Sequence, residues 1–219
     1  MRRNEKILLI KEIFDVYYKD AKCSLDYETV PQLLVAVILS AQCTDARVNI
    51  VTKELFKKCK TANDFANISE NELIEYIHSC GFYRAKAKNI ISTGKDIMQK
   101  FGGKVPDNME DLLTLKGVGR KTANLILGDV YKKSALVIDT HAMRLTKRLG
   151  LTKETDPYKI EFDLKKFVPD SYQIHFCHQL VAHGRKICTA RNPKCSDCPV
   201  SHLCTYYQKS AKKENKNVW

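Results

Sequence analysis

The sequence predicts an all-α protein, and three observations carry that prediction. Apolar residues recur at spacings of three and four along the chain, alternating runs are almost absent, and helix-opening residues precede most apolar stripes. The first stripe, Ile7, Leu8, Ile10, Ile13, Phe14 and Tyr17, reads as an amphipathic helix. Pro31 suits a first helical turn, and Leu33-Leu34-Val35-Ala36-Val37-Ile38-Leu39 after it is apolar on every side, which predicts a central, buried helix. Ser69 with Glu72 makes a capping box ahead of Leu73-Ile74-Glu75-Tyr76-Ile77, and Gly81, just past Cys80, is the expected stop. A longer helix is predicted from Arg84 to Phe101, halted at Gly102-Gly103. Asp107 with Glu110 opens a short helix that ends near Leu115. Further helices are expected from Gly119, from Asp139, from Asp156-Pro157, and from Ser171 to about His183. The lysine-rich segment 209–219 reads as a flexible tail.

The chain has 219 residues, enough for one large or two small domains with real cores. Its net charge of +12 favours a polyanionic partner, with nucleic acid first among them. The apolar run after Met1-Arg2-Arg3 is short and broken by Lys11 and Glu12, so neither a signal peptide nor a membrane span is expected. Nine cysteines without an export signal point to reduced thiols in a cytoplasmic setting. Cys23, Cys43, Cys59, Cys80 and Cys177 are scattered among apolar residues and read as small core residues.

The other four cysteines form a box: Cys188, six residues, Cys195, two residues, Cys198, five residues, Cys204. The stretch has little apolar periodicity, and Pro193 and Pro199 turn it, so something other than a hydrophobic core must hold it. Four thiolates suit a structural zinc ion or a 4Fe-4S cluster, and thiolate softness alone does not choose.

Two further segments carry chemistry. In Leu115-Lys116-Gly117-Val118-Gly119-Arg120-Lys121-Thr122-Ala123, two glycines spaced by one residue allow a tight hairpin that opens a helix at Gly119. The free amides of such a helix start hold a phosphate without reading base sequence, and Arg120 and Lys121 strengthen that reading. Lys121 reads either as a phosphate-contacting lysine or as a nucleophilic amine, and the second role requires the neutral form. In Ala135-Leu136-Val137-Ile138-Asp139-Thr140-His141-Ala142-Met143-Arg144, an apolar stretch ends at an acid that opens a helix. Asp139 is then an N-cap, or a carboxylate that stabilises a developing sugar cation. His141 and Arg144 suit phosphate contacts or structural hydrogen bonds.

Together with Leu39-Ser40-Ala41-Gln42-Cys43-Thr44-Asp45 and His183-Gly184-Arg185, these segments resemble the endonuclease III family of the helix-hairpin-helix DNA glycosylase superfamily, over essentially the whole chain before the tail. The resemblance implies two helical domains with a DNA cleft between them: a six-helix domain over 23–133 containing the hairpin, and a discontinuous iron-sulfur cluster domain from 1–22 and 134–219. It implies a 4Fe-4S cluster on Cys188, Cys195, Cys198 and Cys204, Lys121 as Schiff-base nucleophile and Asp139 as the catalytic carboxylate. DNA contacts fall to Gln42, Thr44, Asp45, Phe82, Gly117, Val118, Gly119, Arg120, His141 and Arg144, while Arg191 and Lys194 offer a basic surface beside the cysteines. The implied function is a bifunctional DNA glycosylase and abasic-site lyase that removes oxidised pyrimidines from double-stranded DNA, acting as a monomer in the nucleoid. Two departures stand out. Phe82 occupies a wedge position where leucine is usual, and reads equally as a core residue; Cys43 stands where alanine or threonine is usual. The rivals are a monofunctional adenine-mismatch glycosylase, which would lack a lysine at position 121, a non-catalytic DNA-binding module with a zinc knuckle, and an electron carrier.

Overall fold

The computed structural model describes residues 1–214, with side chains through Ser210. Among the described residues there are twelve α-helices, two 3₁₀ turns and no strand. The chain divides into two compact units, Cys23–Lys132 and a discontinuous one made of Met1–Lys22 with the chain from Lys133 onward.

Helix α1 (Arg3–Tyr17) belongs to the discontinuous unit and buries Ile7, Ile10 and Phe14, while Leu8 and Tyr17 face outward. The continuous unit is built around α2 (Val30–Ser40), in which every residue from Leu33 to Leu39 is buried. Thr29 caps it: its hydroxyl accepts from the Gln32 amide at 3.4 Å, and Gln32 Oε1 accepts from the Thr29 amide at 3.2 Å. Gln32 Nε2 donates at 3.0 Å to the carbonyls of Phe56 and Cys59, so this buried amide is satisfied.

Helices α3 (Asp45–Lys58) and α4 (Ala62–Asn67) follow, opened by Thr44 and by a Thr61–Asp64 capping box. The α4 segment brings the unit to seven helices, against the six expected. In α5 (Glu70–Ile77), Ser69 accepts from the Glu72 amide at 3.2 Å, but Glu72 does not reciprocate because its carboxylate pairs with Lys58. The helix ends at Ile77 rather than near Gly81, through a turn in which the Cys80 amide donates to the Ile77 carbonyl at 2.8 Å. Helix α6 (Tyr83–Phe101) stops at Gly102, φ 58°, with Gly103 N–H donating to the Ile97 carbonyl at 3.0 Å. The cap of α7 (Met109–Thr114) is Asn108, not Asp107: its side chain accepts from the Asp111 amide at 2.9 Å. Helix α8 (Arg120–Asp129) completes the unit.

Helix α6 packs on α4 through Gly94. A Cβ there would lie 2.6 Å from the Ala66 nitrogen and 3.0 Å from the Ala62 carbonyl oxygen, both backbone atoms that cannot rotate away. Gly94→Ala is therefore expected to destabilise the protein by about 3 kcal/mol, the upper range of overpacking. Thermal unfolding checks this, and an unchanged midpoint would contradict the tight crossing.

In the discontinuous unit, the buried strand-like stretch Ala135 to Ile138 leads into α9 (Thr140–Leu149), followed by α10 (Pro157–Lys165) and a 3₁₀ turn at Asp170–Tyr172. Helix α11 (Gln173–Lys186) starts after that turn, two residues beyond Ser171, and runs past His183. Gly184 lets α9 approach α11, since a Cβ there would sit 2.8 Å from His141 Cδ2 and 3.0 Å from Arg144 Nη2. After a 3₁₀ turn at Ser201–Leu203, α12 (Thr205–Glu214) closes the described chain. Residues 209–214 are thus helical where a flexible tail was expected, and 215–219 lie outside the described residues. Cys59, Cys80 and Cys177 are buried as expected, while Cys23 and Cys43 are only half-buried. Among the described residues no helix is long and apolar enough to cross a membrane.

Candidate functional site

The hairpin between α7 and α8 is held from beneath by α6. Buried Thr93 donates its hydroxyl to the Lys116 carbonyl at 2.7 Å, and Asn89 packs under Gly117. Gly117 has φ 76°, and a Cβ would meet Asn89 at 3.1 Å, so glycine is required there by the fold itself. Gly119 is different. Its φ of −98° is open to any residue, and a Cβ would find nothing within 4 Å. Nothing among its own neighbours demands glycine at 119, whereas close approach of a ligand to the backbone would. Gly119 is the N-cap of α8, so the first amides of that helix open at the hairpin. The Val118 amide is already used, donating to the Leu115 carbonyl at 3.2 Å. Lys121 is the second residue of α8 and is exposed.

Besides Lys132 at the end of the unit, with φ 54°, two turns within it are strained. Gln42 has φ 52° and Phe82 φ 58°, left-handed values that cost a side chain on the order of 1 kcal/mol or more. They are neighbours, since a Cβ on Gly81 would lie 3.4 Å from the Gln42 carbonyl oxygen. Both side chains are exposed, and Phe82 at 68 % is not a core residue. Thr44 and Asp45 next to Gln42 have local partners: Thr44 caps α3, accepting from Arg47 N at 3.3 Å, and Asp45 Oδ2 accepts from the Ser24 hydroxyl at 2.5 Å.

What holds these turns is a residue that no motif flagged. Lys86 on α6 is only 5 % exposed, and its Nζ donates to the carbonyls of Leu39 at 2.8 Å and Ala41 at 2.6 Å. The ammonium therefore caps the C-terminus of α2, where the helix dipole favours a cation, and ties the Gln42 turn to the helix that begins after Phe82. Burial lowers its pKa from the ordinary lysine value, while Cys80 and Cys43 act the other way. The only sequence signal is its place on the α6 stripe with Ala87, Ile90 and Ile97, where a lysine reads as an interruption and not as a buried cation. Lys86→Met keeps the volume but orphans both carbonyls, and is expected to destabilise by about 1–3 kcal/mol for each buried acceptor left unpaired. Chemical denaturation reads this, and a loss within ±0.5 kcal/mol, the range of ordinary surface changes, would contradict it.

In the discontinuous unit, Asp139 caps α9. Its Oδ1 accepts from the Ala142 amide at 2.8 Å, and its Oδ2 lies 3.2 Å from His141 Nδ1. Thr140 is exposed beside it, and the Asp139 carboxylate itself is 17 % exposed. Arg144 points back into the protein, with Nε and Nη2 donating to the Cys188 carbonyl at 3.2 and 3.1 Å and Nη2 also to the Gly184 carbonyl. Its donors thus anchor the cysteine segment, the structural alternative of the two that its position allowed.

The four box cysteines line a single cavity, together with Arg148 and His183. Arg148, another residue absent from the motifs, is the main support of this segment. It donates to Thr189 O at 2.7 Å and Ala190 O at 2.8 Å, and its Nη1 lies 3.3 Å from Cys188 Sγ. His183 is 1 % exposed, and burial lowers its pKa to about 4, so the ring is neutral. Its Nδ1 shares a hydrogen bond with Tyr18 Oη at 2.7 Å, and its Nε2 faces Cys198 Sγ at 3.5 Å. Two of the four sulfurs thus have a nitrogen partner, and the one at Cys188 is a guanidinium donor suited to a thiolate. Burial first, and then the neighbouring cysteines, push the Cys198 thiol up to about 11, and Cys195 is raised for the same reasons. Crowded sulfurs that resist ionising together are the donor set a cationic centre satisfies, so the residues fit an iron-sulfur cluster. Arg191 and Lys194 are exposed on this segment.

A glycine hairpin that opens a helix on an exposed lysine, with four cysteines around one cavity, defines a helical protein with a phosphate-binding helix start and a site for an iron-sulfur cluster. Residues 35–170 match the HhH-GPD superfamily of base excision DNA repair proteins, and residues 188–204 match the iron-sulfur binding domain of endonuclease III. Endonuclease III of Synechocystis is 49 % identical over 95 % of this chain and 94 % of its own length. A solved structure of a non-covalent endonuclease III–DNA complex aligns with a TM-score of 0.90 at 37 % identity, covering 97 % of this chain and all of the other. A trapped endonuclease III–DNA covalent intermediate aligns at 0.89 and 37 % identity, over 96 % of this chain and all of the other. The chain belongs to the endonuclease III family of the HhH-GPD superfamily and is a base excision repair DNA glycosylase with lyase activity that carries an iron-sulfur cluster.

Proposed function

We propose that this enzyme removes oxidised pyrimidines from duplex DNA and cuts the strand through an imine on Lys121. The observation that carries the reading is the hairpin: an exposed lysine at the second residue of α8, two positions after a glycine that no neighbouring residue requires. The α8 amides and Arg120 take a phosphate, which sets the register on the backbone without reading sequence. The damaged nucleotide leaves the stack, because its glycosidic bond is out of reach inside the duplex. Gln42 and Phe82, exposed on neighbouring strained turns, enter the space it leaves. Strain held at such turns is a common mark of a functional segment.

The Lys121 amine attacks the anomeric carbon as the base departs, and Asp139 stabilises the positive charge on the sugar. Loss of the ring oxygen's bond gives the imine, which acidifies the adjacent sugar proton, and β-elimination then expels the 3′ phosphate. His141 orients the Asp139 carboxylate through their 3.2 Å contact. Bound at Cys188, Cys195, Cys198 and Cys204, a 4Fe-4S cluster supplies thiolate cross-links that hold the segment together. Arg191 and Lys194 on that segment meet DNA phosphates, so raising salt weakens binding. The test is a panel of duplexes bearing thymine glycol, an abasic site, uracil, or adenine opposite guanine. Release and nicking at the first two are expected; activity confined to adenine opposite guanine would overturn the reading.

A further inference from the structure

The turns that carry Gln42 and Phe82 also carry a pair of cysteines that neither the motifs nor the chemistry above uses. Residues 42–43 and 80–81 run side by side, as the 3.4 Å approach of a Gly81 Cβ position to the Gln42 carbonyl shows. The Cys80 and Cys43 thiols act on one another electrostatically. Cys80 is 1 % exposed and Cys43 half-buried, so one thiol is shielded and the other within reach of solvent. Two cations attend them. The Lys86 ammonium, fixed on the Leu39 and Ala41 carbonyls, lies close enough to feel both sulfurs, and Arg47 acts on Cys80. Burial first, and then the neighbouring Cys43, pushes the Cys80 thiol up to about 11. Cys59, pushed up by burial to the same value, has no cysteine beside it among the groups that act on it.

We infer that Cys43 and Cys80 form an oxidisable dithiol, a modification site whose disulfide would lock the Gln42 and Phe82 turns together. The oxidant is a small-molecule disulfide, RSSR. Cys43 gives its proton to solvent, attacks one sulfur as the thiolate and forms Cys43–S–S–R with loss of RS⁻. Cys80 gives its proton to solvent and attacks the Cys43 sulfur, forming the Cys43–Cys80 bond and expelling the second RS⁻. Two protein thiols lose two electrons and two protons, and RSSR leaves as two RSH. A cross-link here fixes the spacing of the two turns that the proposed function sends into DNA, so this consequence rests on that reading. A shift of an ångström in such a group costs on the order of a hundredfold in rate.

The holoenzyme is incubated with oxidised glutathione and alkylated, then mapped by mass spectrometry, with the visible absorption of the cluster followed in parallel. Single-turnover cleavage of an abasic duplex is measured before, after, and after dithiothreitol. Expected are a peptide pair linked through Cys43 and Cys80, a loss of cleavage on the order of a hundredfold that dithiothreitol reverses, and Cys43→Ala enzyme that keeps both its cluster and its rate under the same treatment. Absence of the linked peptides, or linkage with unchanged cleavage, would overturn the inference. If reduced enzyme fails to cleave at all, the fault lies with the proposed function, and the linked peptides still decide whether the dithiol exists.

Discussion

Cys198→Ser is expected to lower the thermal midpoint by roughly 10 °C and to release the segment 188–204. Serine nearly matches cysteine in size, so packing is barely touched; what is lost is one of four thiolates that a 4Fe-4S cluster needs. Apart from one 3₁₀ turn, the segment has no helix of its own. Its internal bonds are isolated, such as Lys194 N to Ile187 O at 3.0 Å and Cys198 N to Cys195 O at 3.3 Å. The side chains of Arg148 and Arg144 hold only its first residues, Cys188 to Ala190, and the Arg148 carbonyl takes a single bond from Cys204 Sγ at its end. Metal-binding energy is then folding energy for the remainder. Loss of a metal site is among the few mechanisms that exceed about 4 kcal/mol, and for a chain of this size each kcal/mol moves the midpoint by about 2–4 °C. Hydrogen exchange should show the amides of 188–204 opening before those of α9 and α11. An unchanged midpoint with iron still bound would contradict this account of the cysteine box.

Lys121→Gln is expected to reduce abasic-site cleavage by on the order of a thousandfold or more, the scale on which removal of a nucleophile registers. Folding should be unaffected, because the side chain is exposed and the hairpin is held by Thr93, Asn89 and the glycines. Affinity for intact duplex should fall only slightly, by the contribution of one cation. Equal losses in binding and cleavage would instead make Lys121 a phosphate contact.

Most of the helices were legible because their signals are local: the all-apolar run of α2, the glycine stop after α6, and the Asp-Pro start of α10 need nothing beyond neighbouring residues. The errors were also local in origin. Glu72 had a better partner in Lys58 than in its own cap, and Asn108 outcompeted Asp107 for the same helix start one residue away. The hairpin and the cysteine box were legible as spacing. Their supports were not, because Lys86 reaches carbonyls 45 and 47 residues back in the chain and Arg148 reaches ones 41 and 42 residues ahead. A charged residue that fills a distant helix end or a loop interior looks in sequence like any solvated lysine or arginine. The strain at Gln42 and Phe82 was equally invisible, since neither is a residue type that announces a positive φ.

The central claim is that Lys121 forms the covalent link to DNA, and borohydride trapping followed by peptide mapping tests it most directly. Wild-type enzyme, reduced with borohydride on an abasic duplex, should yield a stable protein–DNA adduct whose modified peptide contains Lys121. No adduct, or an adduct mapped to a different amine, would contradict the account.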